Sequence, residues 1–295
     1  MEGMTPKVIV EKIRAMHTGQ SILGSDTYTL EERIEGRNPI YRARAQKSGK
    51  TVVVKGYDTK DAFFRESQIT RRLRHACILP LMDAVADTSG EYTVFPYIHG
   101  ETLKSFLRYE GTIEGRHLLG IMPALCDALA SIHNAGIIHA DIKPANILLA
   151  RCDNRRTTKK SDLYPVTHVI KPYLFDFDIA YDARAGTESS PDLIRGTPYY
   201  LAPENWYGEP PSQESDLYAL GVTLYEMMTT SLPFSGEIYE IMSKHNRAPI
   251  PDPREQNPNI SAELAMVVQH ALAKDPCNRY HNTKEFKEDL LLAVI

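Results

Sequence analysis

The 295-residue sequence predicts an α+β protein of two lobes, a small β-rich one followed by a larger, mostly helical one. Three observations predict it. Short segments rich in β-formers crowd residues 28–57. Apolar residues recur at three- and four-residue spacing through much of the chain after Gly100. The composition, 42 % hydrophobic and 24 % charged, is that of a globular chain long enough to bury a sizeable core.

At the N-terminus, residues 5–17, TPKVIVEKIRAMH, set Val8, Ile9, Ile13 and Met16 at roughly helical spacing. That predicts a short helix packed on the adjoining domain, with a partner-binding helix as the sharper reading. YTLEERI, IYRARA and TVVVKGY read as strands, and KSGK (47–50) as a hairpin turn. Residues 60–74 predict a helix with Phe63, Ile69 and Leu73 on one side. EYTVFPYI is another strand, ended by Pro96, and the change of period after it places a hinge at 96–100. Leu118, Ile121, Met122, Leu125, Leu129 and Ile132 predict a helix over 117–133. Leu264, Val267, Val268, Ala271 and Leu272 predict one near the end, with Ser261 as its N-cap. Residues 151–162 interrupt this plan with five basic and two acidic side chains, a local net of +3. They read as an exposed loop between the strands NILLA and HVIKPYLF, either simply solvated or a dock for an acidic partner.

Bulk properties exclude several function classes. A net charge of −4 gives no basic field for nucleic acid. Cys77, Cys126, Cys152 and Cys277 are scattered without a CxxC pair, which argues against a zinc or redox motif and for free thiols in a reducing compartment. No stretch reaches about 18 apolar residues and the N-terminus has no long apolar core, so neither a membrane span nor a signal peptide is predicted. A cytoplasmic protein is expected, with a signal-less secretion route left open.

The chemistry concentrates in IIHADIKPANILL (137–149), where an apolar lead-in delivers His139, Asp141, Lys143 and Asn146 in a tight polar loop stiffened by Pro144. A proton-accepting Asp, a Lys that neutralises phosphate and an Asn that holds a divalent cation are the parts phosphoryl transfer needs. In LFDFDIA (174–180), Asp176 ends the next apolar strand, where a second metal ligand belongs, and Asp178 comes two residues later. The pair reads as a double ligand, or as one ligand and one replacement.

With these motifs in view the sequence resembles the protein kinase family, in its eukaryotic-like (Hanks-type) serine/threonine branch. The resemblance runs from about 28 to 290: a bilobal kinase fold with an N-lobe at 28–95, a hinge at 96–100, a C-lobe at 101–290 and a basic insertion at about 151–168. An N-terminal extension (1–27) and a short tail (291–295) flank it. VVVK (52–55) resembles the strand whose lysine grips the α- and β-phosphates, which makes Lys55 that lysine. FFRESQITRRLRHACI resembles the next helix, and Glu66 its lysine partner. HADIKPAN resembles the catalytic loop. The resemblance then implies that Asp141 orients and deprotonates the acceptor hydroxyl, Lys143 meets the γ-phosphate and Asn146 binds Mg²⁺. DFD resembles DFG, with Asp176 bridging Mg²⁺ to the phosphates. GTPYYLAPE (196–204) resembles the end of the activation segment. SDLYALGVTLYEM (215–227) resembles a buried helix anchored by Asp216, a residue also readable as a helix N-cap. DPCNRY (275–280) resembles the segment whose Arg279 pairs with Glu204.

The implied nucleotide site takes Ile34 and Gly36 from the phosphate-covering loop, Ile40, Val53 and Leu148 around adenine, Phe95 as gatekeeper, and Pro96 and Ile98 at the hinge. Pro96 lacks an N–H, but the family uses only the carbonyl there and takes the N–H at Ile98. ATP and Mg²⁺, with Mn²⁺ as a substitute, are the implied cofactors, and proteins the implied substrates. Lys143 and Thr197 favour serine/threonine over tyrosine acceptors. Ala145 stands where arginine-directed members carry glutamate, so no strong preference for basic substrates is expected.

Four departures stand out. RIEGRNPIY (33–41) has one glycine, Gly36, where close approach of backbone to phosphate favours several, and Pro39 stiffens it, with Arg37 as a further phosphate contact. Val53 is bulkier than the usual alanine. Ala140 replaces the arginine that commonly grounds a phosphorylated activation loop, so phosphorylation within 179–196 is expected to be dispensable. Asp178 occupies the glycine position of the DFG motif; it either locks an active-like arrangement or lends Mg²⁺ a water-mediated contact. The alternatives to an active protein kinase are a nucleotide-sensing pseudokinase scaffold and, more distantly, a small-molecule kinase of the aminoglycoside or choline type.

Overall fold

The computed structural model describes residues 18–34, 39–88, 90–113, 115–152, 169–184 and 196–294. They fall into two compact units. The predicted helix over 5–17 and most of the basic loop at 151–168 lie outside the described residues.

The first unit takes the described part of Met1–Arg74, with Leu79–Ile98 and Asp176–Asp178. Its six-stranded antiparallel sheet contains β1 (Ser21–Leu23), β2 (Thr27–Ile34), β3 (Ile40–Ala45), β4 (Thr51–Gly56), β5 (Asp83–Asp87) and β6 (Gly90–Pro96), in the order β1-β2-β3-β4-β6-β5. The β3–β4 turn closes as predicted: the Gly49 N–H donates to the Ala45 carbonyl at 2.8 Å with Gly49 at φ 66°, a conformation glycine reaches without a Cβ penalty. Sheet pairing starts at Ser21, inside the stretch expected to be an extension, because Ser21–Leu23 adds an edge strand to β2.

Strand period two divides this sheet into two faces. Ile22, Tyr28, Leu30, Tyr41, Ala43, Val52, Val54, Val85, Tyr92 and Val94 form a dry core on one face. The alternate residues form the other. Lys55 pairs with Ile40 and Thr93, Val53 with Phe95, and Ile34 with Ile40. Helix α1 (Lys60–Arg72) belongs to the same unit; Thr59 caps it, accepting from the Ala62 N–H, and Phe63, Glu66, Ile69 and Thr70 are buried.

The second unit holds two small sheets and the remaining helices. β7 (Gly100–Thr102), β9 (Ile147–Cys152) and β10 (Val169–Leu174) make a three-stranded sheet, and β8 (Ile137–Ile138) pairs with β11 (Tyr181–Asp182). The helices are α2 (Leu103–Tyr109), α3 (Gly115–Asn134), α4 (Gln213–Thr229), α5 (Ile238–Arg247), α6 (Ala262–Ala271) and α7 (Thr283–Val294). Ser261 caps α6 as its position suggested, accepting from the Leu264 N–H. Helix α4 is buried along nearly its whole length, which explains why its sequence shows no polar stripe. Gly221 lets it meet α6 closely, since a Cβ there would lie 2.7 Å from the Ala271 Cβ. No helix among the described residues is long and apolar enough to cross a membrane.

Candidate active site

Each unit carries one cluster of the predicted site residues. In the first, β4 delivers Lys55 and α1 delivers Glu66. The Lys55 ammonium donates to Glu66 Oε2 at 2.7 Å and to Asp176 Oδ1, and Asp178 Oδ2 lies 3.9 Å away. Burial alone would lower the Lys55 pKa, but Glu66, Tyr57, Asp176 and Asp178 outweigh it and hold the ammonium well above its ordinary value. Burial raises the Glu66 carboxyl, against the pull of Lys55. Its charge is kept tolerable by three donors: Lys55, the Tyr57 hydroxyl at 2.6 Å to Oε2, and the Phe177 N–H at 3.3 Å to Oε1. Asp176 lies just past β10 at φ 72°, left-handed backbone uncommon outside glycine. Arg65 of α1 donates to the Asp178 carbonyl at 2.9 Å, so the segment after Asp176 is tied to the same helix that carries Glu66. Phe177 is buried.

The same unit places four of the predicted nucleotide contacts, Ile34, Ile40, Val53 and Phe95, on the sheet face of Lys55, and Pro96 at the end of β6 on the opposite face. Ile98 closes this unit. Gly36 and Arg37 lie outside the described residues. Leu148 belongs to the second unit, half-buried on β9 opposite Tyr173.

In the second unit the loop after β8 holds Asp141. Its Oδ2 accepts from Lys143 Nζ at 2.5 Å and Asn146 Nδ2 at 2.9 Å, and its Oδ1 from the Thr197 hydroxyl at 2.9 Å. Lys143 also donates to that hydroxyl at 2.6 Å, which closes a ring of Asp141, Lys143 and Thr197. Pro144 starts a single 3₁₀ turn, Pro144–Asn146, that points Asn146 back at the loop; a further bond runs from Asn146 Nδ2 to the Asp141 carbonyl at 2.9 Å.

Below the loop, Asp216 accepts from the His139 N–H and the Ala140 N–H, each at 2.9 Å, and lies 2.9 Å from His133 Nε2. These bonds hold Ala140 at φ 63°, an otherwise unfavourable backbone. Asp216 is not the N-cap of α4. Ser212 takes that place in a capping box with Ser215, which leaves the Asp216 carboxylate for the backbone of the His139–Ala140 loop. Arg279, almost wholly buried, grips Glu204 in two parallel bonds of 2.8 and 2.7 Å.

Each unit carries one oxygen donor of the kind a divalent cation takes. Asn146 commits its amide nitrogen to Asp141, so its oxygen is the group suited to a cation, and Asp176 engages Lys55 through one carboxylate oxygen. No group of three or more His, Cys, Asp or Glu side chains forms a metal cage among the described residues. Sequence reasoning missed Tyr57, Thr93, Arg65 and His133, because no local spacing links them to the residues they bond.

The sequence matches the family described as protein kinase domain over residues 37–291. It is 32 % identical over 232 residues to the serine/threonine-protein kinase PrkC of Bacillus subtilis, covering 78 % of this chain and 33 % of that protein. It is 33 % identical over 288 residues to the serine/threonine-protein kinase PknB of Mycobacterium tuberculosis, covering 90 % and 43 %. The chain thus spans less than half the length of these relatives. Among solved structures, the Rad53 kinase domain with SCD2 superposes with a TM-score of 0.68 at 25 % identity, covering 88 % of this chain and 86 % of that one. The PknI kinase domain of Mycobacterium tuberculosis shares the fold, with a TM-score of 0.70 at 21 % identity over 95 % of this chain and 100 % of that one. The chain belongs to the eukaryotic-like serine/threonine protein kinase family.

Proposed function

We propose that this chain is a working ATP-dependent serine/threonine protein kinase, in which Asp141 takes the proton of the acceptor hydroxyl. The observation that carries the reading is the Asp141 carboxylate itself, fixed by Lys143, Thr197 and Asn146. A carboxylate held on both oxygens is pre-oriented, so little reorganisation is left for the moment of transfer. The Lys143 ammonium is positioned to compensate charge that develops on the transferred group. Lys55, kept charged by its three carboxylate neighbours, grips the α- and β-phosphates of ATP. Asn146 and Asp176 would be the residues to hold Mg²⁺, which would supply further charge neutralisation. Ile34, Gly36, Ile40, Val53, Phe95, Pro96, Ile98 and Leu148 form the nucleotide contacts, and GTPYYLAPE is the platform for a protein acceptor. Asp178 acts as a restraint: its carboxylate approaches Lys55 and its carbonyl holds Arg65, which favours a locked motif over a water-mediated metal contact.

The test compares transfer from labelled ATP to a generic basic acceptor protein, with Mg²⁺, by the wild type and by Asp141→Asn. The expected result is robust wild-type transfer and a loss of about 10²–10⁴-fold in the variant, the range general-base groups contribute. Wild-type protein that binds nucleotide but transfers no phosphate, with Mg²⁺ or Mn²⁺, would instead establish the scaffold reading.

A further inference from the structure

Tyr57 and Thr93 carry none of the roles the sequence predicted, yet both are buried beside the Lys55, Glu66 and Asp176 cluster of the first unit. Tyr57 is 3 % exposed, Thr93 0 % and Glu66 1 %. The Tyr57 hydroxyl donates to Glu66 Oε2 at 2.6 Å, and the same phenolic oxygen lies 2.7 Å from Thr93 Oγ1. With its proton on Glu66, the phenol accepts from Thr93, so one directed chain runs from Thr93 through Tyr57 to the carboxylate. Lys55 donates to the same oxygen from the other side. The sheet dictates this convergence: Tyr57 lies two residues beyond Lys55, and Thr93 is the cross-strand partner of Lys55 in the β4–β6 register.

We propose that Tyr57 and Thr93 form a buried clamp that holds Glu66 on Lys55, which makes Tyr57 a positioning residue for the phosphate-gripping pair. Burial and the neighbouring carboxylate keep the phenol protonated at any physiological pH, so it remains a donor. The plainer role for Tyr57 is packing, since its ring meets Phe63 edge-on at 5.7 Å. Packing, however, needs only the ring, and a phenylalanine supplies it. Three further features favour the clamp. A desolvated carboxylate requires donors, and apart from Lys55 the other one described is the Phe177 N–H at a long 3.3 Å. The clamp lies wholly inside the first unit. Its members need neither nucleotide nor phosphorylation to form, so the ion pair is assembled in advance.

The inference rests on Lys55 being the phosphate ligand, and the experiment separates the two. Phosphotransfer to an acceptor protein is measured with ATP varied, for wild type, Tyr57→Phe, Glu66→Gln, Tyr57→Phe with Glu66→Gln, and Lys55→Met. Tyr57→Phe is expected to lower kcat/KM for ATP by about tenfold, the low end for a hydrogen bond to a charged group. In the Glu66→Gln background the same change is expected to cost less than about twofold, because the hydroxyl acts through that carboxylate. Equal losses in both backgrounds would reduce Tyr57 to a structural residue. A Tyr57→Phe enzyme of wild-type kcat/KM beside an inactive Lys55→Met sinks the clamp alone; a fully active Lys55→Met sinks the reading of Lys55 and the clamp with it. Should Tyr57→Phe not fold, Thr93→Val, which keeps the phenol, decides the matter: a several-fold fall in kcat/KM supports the clamp and an unchanged value overturns it.

Discussion

Arg279 has every donor direction engaged inside the second unit. Beyond Glu204, it donates to the carbonyls of Ala273 at 2.7 Å, Lys274 at 3.0 Å and Glu214 at 3.2 Å, and its guanidinium lies over the Tyr218 ring. Lysine has neither the fork nor the number of fixed donors to replace it. Arg279→Met should therefore destabilise the protein by about 3–5 kcal/mol, because Glu204 loses its partner in a largely buried setting. Arg279→Lys should recover only a minor part; urea unfolding of both variants measures it. Pairs such as this one and Lys55–Glu66 were legible in the sequence only through the resemblance to the kinase family, whose motifs carry both members. Tyr57 and Thr93 were not, because a β-former in a strand-like run fits a packing role equally well. Only the register between β4 and β6 shows which side chains meet. The N-cap reading of Asp216 failed for a related reason: a carboxylate near a helix start is equally at home one turn inside, and the Ser212–Ser215 box had claimed the cap.

At the scale of elements, α5 is held to α4 through a polar contact in an apolar setting. His245, fully buried on α5, lies 2.8 Å through Nδ1 from the Tyr218 hydroxyl of α4, with the rings of Phe234 and Trp206 around it. Burial, aided by the Lys274 ammonium, lowers its pKa from 6.5 to about 3. Proton counting gives the sign. Between about pH 6.5 and pH 3 the unfolded chain carries the His245 proton and the folded one does not, so stability is full above that window and falls as pH drops through it. Replacing His245 with Gln should flatten the acid limb by up to one proton, about 1.4 kcal/mol per pH unit; unfolding free energies at several pH values give that slope. Helix periodicity made α1, α3 and α6 legible from the sequence. It could not reveal β5, whose segment DAVAD is short, alanine-rich and bounded by aspartates. That strand exists because β6 supplies its ladder, a cause no local propensity carries.

For the molecule as a whole, the absence of an arginine at position 140 bears on how activity is controlled. Residues 181–184, where the resemblance sets the start of the activation segment, have other anchors in the second unit. β11 pairs with β8, the Ala183 N–H donates to the Gly136 carbonyl at 2.9 Å, and Arg184 Nη2 donates to the Asn134 carbonyl at 2.9 Å. Gly136 leaves room for that arginine, since a Cβ there would lie 2.5 Å from Arg184 Nε. Thr187, Ser189 and Ser190 lie outside the described residues. Their joint substitution by alanine should leave phosphotransfer within about twofold of wild type, a difference under about 0.5 kcal/mol. A steady-state assay that finds the triple variant inactive would make phosphorylation of the segment a requirement. The change from a β-rich stretch to a mainly helical one was readable along the chain because hydrophobic period changes abruptly after Pro96. The assignment of Asp176–Asp178 to the first unit was not, for their sequence neighbours on both sides pack in the second.

The two-faced sheet of the first unit also limits how its gene can vary in length. Along β4, Val52 and Val54 belong to the core and Val53 and Lys55 to the working face. Gaining or losing a single codon between Thr51 and Lys55 would exchange the two sets, turning the lysine into the core and a valine toward Glu66. Homologous chains should therefore accumulate length changes in the Gln46–Lys50 turn and almost none inside β4, even where the amino acids themselves drift freely.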